Sequence, residues 1–123
     1  MSAAPRGITF DAVVALGAAL PGVVKGTSYG TTALRAGGKV IARLKEDGET
    51  MVLRAPFPVR DHLLATAPET YFVTDHYRDY PLVLVRLAKA DALQVRELLE
   101  SAWRAVTPAR LVAEHDARAG DGR

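Results

Sequence analysis

Apolar and polar residues alternate most clearly from Lys39 to Lys45, where Val40, Ala42 and Leu44 fall on one side and Lys39, Ile41, Arg43 and Lys45 on the other. That pattern predicts a half-buried strand. Similar runs flank it at Thr32–Ala36 and Thr50–Arg54, separated by Gly37-Gly38 and by the polar turn Glu46-Asp47-Gly48-Glu49. Paired glycines supply the positive φ of a tight hairpin, so the three runs read as an antiparallel meander with one face against helices.

Elsewhere the period lengthens to that of a helix. Phe10, Val13, Val14, Gly17 and Leu20 form an apolar stripe behind the capping residue Thr9, and Pro21-Gly22 ends it, predicting a helix over 9–20. Val23 to Gly30 reads as a short irregular strand or a bend. Pro58 opens a short helix from Val59 to Ala67; Tyr71–Val73 is a short strand, Thr74–Tyr80 a polar aromatic loop, and Leu82–Leu87 a central strand. Asp91 and Gln94 stand at N-cap and N3 of a helix with Val95, Leu98, Leu99, Ala102 and Val106 on one stripe and Trp103 beside it. Thr107-Pro108 opens a last short helix carrying Leu111, Val112 and His115.

The expected fold class is therefore α+β: an antiparallel sheet with helices packed mainly on one face, an N-terminal helix and a C-terminal helical pair. A length of 123 residues suits one domain over 8–116, with a flexible leader over 1–7 and a disordered tail over 117–123. The absence of cysteine excludes disulfides and thiolate chemistry. Sixteen basic against 14 acidic residues give a net charge of +2, so nucleic-acid binding requires the cations to gather on one face. With no apolar run of membrane-spanning length and no signal-peptide core, a cytoplasmic protein without membrane contact is expected.

Tyr29-Gly30, Ala33-Leu34-Arg35, Gly38-Lys39, the Pro-linked short helix, the Tyr77-to-Pro81 segment before a strand and Ser101-Ala102-Trp103-Arg104 fall in order along the chain. This arrangement resembles the small bacterial MmcQ/YjbR-like family over roughly residues 8–115. The resemblance implies a CyaY-like or secretion-chaperone-like α+β fold and a DNA-binding role. The chain departs from many members in carrying Tyr29-Gly30 where they have His-Gly, and Ser101-Ala102-Trp103 where they have Ser-Tyr.

The leading candidate site is a basic sheet face. Lys39, Arg43 and Lys45 share one side of a strand by parity, Arg35, Arg54 and Arg86 lie on neighbouring strands, and Tyr29 offers a ring for stacking on a base. The bland alternative is a solvated face whose cations discourage edge pairing. A second, weaker binding loop holds His76, Tyr77 and Arg78 between Asp75 and Asp79, where a histidine beside carboxylates could act as a base but has no nucleophile nearby. No catalytic residue, cofactor or metal is expected: His62, His76 and His115 lack ligand spacing, Thr27–Thr32 lacks a phosphate-loop pattern, and Ser28 and Ser101 lack an elbow motif. The reading is a binding protein for DNA. Its rival is a protein-interaction module or homodimer using the exposed sheet or the Trp103 helix, and an enzyme using His76 with Asp75 or Asp79 stands third.

Overall fold

A computed structural model describes residues 7–121, in which helix α1 (Phe10–Gly17) leads into strands β1 (Val23–Ser28), β2 (Thr31–Ala36), β3 (Lys39–Leu44) and β4 (Thr50–Arg54). Helix α2 (Phe57–Thr66), the short strand β5 (Tyr71–Phe72), a 3-10 turn at Asp75–Tyr77 and strand β6 (Leu82–Arg86) follow, and helices α3 (Ala92–Val106) and α4 (Ala109–Asp121) close the chain. The strands form one six-stranded antiparallel sheet in the order β1-β2-β3-β4-β6-β5. Leu34, Ala36, Ile41, Ala42, Met51, Leu53, Val83 and Val85 meet Phe10, Val13, Leu63, Val95, Leu99 and Trp103 in a single core. Such burial is the main term holding helices on the sheet. Among the described residues, no helix is long and apolar enough to cross a membrane.

Local signals explain most boundaries. Thr9 Oγ1 accepts the Ala12 N–H at 3.1 Å and so starts α1. The helix stops at Gly17, short of the expected Leu20, and the chain leaves it through tighter turn bonds, Ala19 N–H to Leu16 O and Leu20 N–H to Gly17 O; Gly17 lies where α1 meets the sheet, and a Cβ there would stand 2.6 Å from Leu34 Cδ1. Asp91 Oδ2 accepts the Gln94 N–H, as a capping box requires, but Gln94 does not reciprocate. Its Oε1 instead accepts the hydroxyl of Tyr71 at 2.5 Å, joining α3 to the edge strand. Burial, and secondarily the charge of Asp91, pushes the Tyr71 phenol up to about 12.

Three expectations are corrected. Val23–Ser28 is a regular six-residue edge strand, since full pairing with β2 overrides its Gly and polar content. In β3, Ala33 pairs with Arg43 and Leu34 with Ala42, yet Arg35 pairs with Val40, leaving Ile41 as the extra residue of a β-bulge. Ile41 and Ala42 both enter the core as a result, and simple alternation fails before them. Trp103, beside the apolar stripe of its helix, is fully buried as a core residue, its Nε1–H donating to Pro21 O at 2.8 Å and its ring edge-on to His115. Helix α4 continues through Asp121, so residues 117–121 of the expected disordered tail are helical, while 122–123 lie outside the described residues. Arg104 on α3 ties α4 down through Asp116 while also holding Glu100. Of the expected leader only Gly7 is described, and its N–H donates to Ala90 O.

Candidate functional site

Sheet register decides which cations share the face turned away from the helices. Ala33 pairs with Arg43, Arg43 with Val52, Val52 with Leu84 and Leu84 with Phe72, a row running across five strands. One step to one side lie Arg35 beside Val40, and Arg54 beside Leu82; one step to the other lie Thr50 beside Arg86, with Lys45 donating its N–H to Thr50 O. Five of the six expected cations therefore share this outer face: Arg35, Arg43, Lys45, Arg54 and Arg86. Lys39 does not. The bulge at Ile41 shifts it into register with Ala36, a core residue, at the exposed end of the hairpin.

Arg43 is the centre of the face, and it is buried, with 7% exposure. Charge in such a place needs partners, and it has several. Nη1 donates to Glu46 Oε1 at 3.2 Å and reaches Thr31 Oγ1 at 3.5 Å, Nη2 donates to the Tyr77 hydroxyl at 3.1 Å, and the guanidinium carbon lies 5.2 Å from the centre of the Tyr29 ring. One side chain thus fastens the β1–β2 turn, the β3–β4 turn and the 3-10 turn at Asp75–Tyr77. The Glu46 carboxyl is held below its usual range by a bond to its own backbone first, and by Arg43 beside it.

The remaining cations are tethered but reach solvent. Arg35 donates to Gly38 O and Thr27 O, Arg54 Nε donates to Val40 O at 3.0 Å, and Arg86 lies over the Phe72 ring at 4.1 Å. Lys45 Nζ sits 5.3 Å from the centre of the Tyr77 ring. Each guanidinium keeps further N–H groups for a ligand.

Tyr29 projects from this surface at 86% exposure. It occupies the first central position of the two-residue turn between paired Ser28 and Thr31, with φ +51° at Tyr29 and +79° at Gly30. Both positive values define a type I′ turn, which favours Asn-Gly; a tyrosine there is strained by roughly 1–2 kcal/mol.

The second candidate, the loop, divides. Tyr77 packs toward the sheet through Arg43 and Lys45, whereas His76 is exposed and edge-on to Tyr77 at 4.7 Å. Asp75 pairs with Arg78 instead of flanking His76. A groove of about 480 Å³ lies elsewhere, lined by Thr9, Phe10, Glu49, Thr50, Arg86 and Lys89, and takes in none of Asp75, His76 and Asp79. No group of three or more His, Asp or Glu able to hold a metal occurs among the described residues.

Sequence reasoning missed three contributors. Thr31 and Glu46 complete the setting of Arg43, and nothing in their local pattern marks them. Arg60, buried at 8%, donates to Arg78 O and Tyr80 O, fixing the segment that returns over the outer face. Its place in a short polar helix gave no signal.

Comparison with known proteins places this geometry. The crystal structure of the Deinococcus radiodurans protein DR2400, a DUF419 domain, matches with a TM-score of 0.70 over 86% of this chain and 83% of that one, at 19% identity, a likeness of fold. Uncharacterized protein Rv2570 of Mycobacterium tuberculosis and uncharacterized protein Mb2600 of Mycobacterium bovis are each 40% identical over 62 residues, covering 50% of this chain and 48% of theirs. The match thus spans about half the length of these curated relatives. The YjbR family model matches residues 18–105, a stretch that takes in all six strands, Tyr29, Arg43 and the α3 helix to its last turn, and the chain belongs to the YjbR family.

Proposed function

We propose that the chain is a small cytoplasmic binding protein that takes DNA across the outer face of its sheet. The observation that carries the reading is the register that sets Arg35, Arg43, Lys45, Arg54 and Arg86 on one face, with an exposed Tyr29 at its margin. Phosphate binding needs cations held at fixed positions with N–H groups to spare, and tethered arginines meet that need at low entropic cost. Arg43 acts as the anchor of the face, not as a direct phosphate contact, because its partners already surround it. Arg35, Lys45, Arg54 and Arg86 supply the contacts. Lys39 joins only where a strand extends to the β2–β3 turn. Glu46 and Asp75 mark the acidic rim and bound the path.

The test is retention of a fluorescent DNA oligonucleotide as salt is raised. Binding is expected to weaken steeply, since each phosphate contact releases counterions, and Lys45→Glu with Arg86→Glu is expected to flatten the salt slope by about one for each phosphate no longer neutralised. Retention unchanged by this pair of reversals would overturn the reading.

A second reading, a homodimer, is favoured by one feature: β1 is an edge strand of the sheet and Val24 on it is 58% exposed. A dimer in light scattering that persists at high salt, with no retention of DNA, would select it.

A further inference from the structure

Resting on the nucleic-acid reading, we infer that the outer face takes single-stranded nucleic acid in preference to duplex, with one base stacked on the free side of the Tyr29 ring. Three observations converge on this residue. Its ring is 86% exposed, which for a large aromatic leaves most of its apolar surface in water. Its backbone sits at φ +51°, a conformation held in spite of a steric penalty that Asn or Gly would avoid. The Arg43 guanidinium stands against the ring at 5.2 Å and is itself fixed by Glu46 and Tyr77.

The third observation gives the ring a direction. A buried, multiply bonded guanidinium cannot be displaced cheaply, so the ring is supported on that side and open on the other. A base arriving from solvent completes a stack of base, tyrosine and arginine, in which the cation strengthens both neighbours. Duplex DNA has no unstacked base to offer and meets the same face through phosphates alone. A single strand can lay its backbone along Arg35 on β2, Lys45 just past the end of β3 and Arg54 on β4, while presenting one base to Tyr29. Stacking and phosphate contact ignore the sugar, so DNA and RNA strands are taken alike.

Anisotropy with fluorescein-labelled oligothymidylate of about a dozen nucleotides, the matching duplex and oligouridylate tests the inference, the length following from typical single-strand site sizes. The single strand is expected to bind roughly tenfold or more tightly than the duplex, with the RNA strand within a few-fold of the DNA strand. Tyr29→Ala is expected to weaken single-strand binding roughly 5- to 150-fold, the range for loss of one stacked base, to leave duplex binding unchanged, and Tyr29→Phe to restore it. Because alanine is also strained at this φ, Tyr29→Asn, which suits the turn, serves as a second variant with the same expected loss. Duplex binding equal to single-strand binding, or Tyr29 variants that bind as the parent does while Lys45→Glu weakens both forms, would overturn the stacking inference and leave the charged face standing. No binding of any oligonucleotide at low salt would overturn both.

Discussion

Arg43 Nη2 donates to the Tyr77 hydroxyl across 3.1 Å and 34 residues of sequence, joining the middle of the outer sheet face to the turn that leads into β6. Hydrogen bonds to a buried charge are stronger than neutral ones, and breaking one leaves the charge partly unpaired. Tyr77→Phe is expected to cost about 1–2 kcal/mol in urea unfolding, and Arg43→Ala more, about 3 kcal/mol, since packing and several bonds go together. The double variant is expected to cost less than the sum by about 1 kcal/mol, the coupling of a contacting pair. Strict additivity would mean that the bond contributes nothing to the fold.

Trp103 couples distant parts of the chain in a similar way, its indole N–H donating to Pro21 O, 82 residues earlier, at 2.8 Å. The donor secures the bend between α1 and β1 against α3. Trp103→Phe removes the donor and part of the ring, leaving the part-buried Pro21 carbonyl without this donor and opening a small void, with an expected loss of about 2–3 kcal/mol. Trp103→Leu adds a larger cavity and is expected to cost about 3–5 kcal/mol. Thermal unfolding followed by circular dichroism measures both; a Phe variant as stable as the parent would show that the bond to Pro21 O is dispensable.

What was legible in the sequence was what neighbouring residues decide among themselves. Gly37-Gly38 demands a tight hairpin whatever surrounds it, Asp91 caps its own helix, and the Val95–Leu99–Ala102 stripe needs only helical geometry. The features that make the candidate site depend on partners far along the chain. The bulge at Ile41 is a property of β2 and β3 together, and it alone removes Lys39 from the basic face. Arg43 reads as one more surface cation until Thr31, 12 residues before it, and Tyr77, 34 residues after it, close around it beside nearby Glu46. Likewise Gln94 looks like a capping-box partner by spacing, but β5 brings Tyr71 to it and the side chain turns away. The resemblance carried the fold correctly because a family shares its sheet order; it carried no information about which cations are tethered.

The burial of Tyr71 makes stability depend on alkaline pH. The Tyr71 phenol is raised from 10.0 to about 12 in the folded protein, chiefly by burial. Between those values the unfolded chain has lost the proton and the folded one retains it, so folding is favoured less as pH rises. The stability that Tyr71 contributes is fully present below pH 10 and declines from there, by roughly 1 kcal/mol by pH 11. Tyr71→Phe is expected to be about 1 kcal/mol less stable than the parent at pH 8 through loss of the bond to Gln94. At pH 11 the difference is expected to shrink to near zero, because phenylalanine has no proton to lose. Urea unfolding of both proteins at the two pH values checks this, and a gap that stays constant would show that Tyr71 ionises normally when folded.

Tyr29 sets local stability against exposure. Its positive φ costs roughly 1–2 kcal/mol relative to a residue at ease in that region, and its contact with Arg43 returns about 0.5–1 kcal/mol at so exposed a site. Tyr29→Asn removes both terms. Because the strain is the larger, the variant is expected to be more stable than the parent by about 0.5–1 kcal/mol, and Tyr29→Gly similar or slightly less so through its greater unfolded-state entropy. Tyr29→Val, a β-branched residue forced into the same φ without a ring to rest on Arg43, is expected to lose about 1–2 kcal/mol. Denaturant midpoints of the three variants give the order. An order of Asn above the parent and the parent above Val identifies a position where the turn alone would choose another residue, and where tyrosine is retained for what its ring presents to solvent. Asn falling below the parent would instead make the ring a structural prop for Arg43.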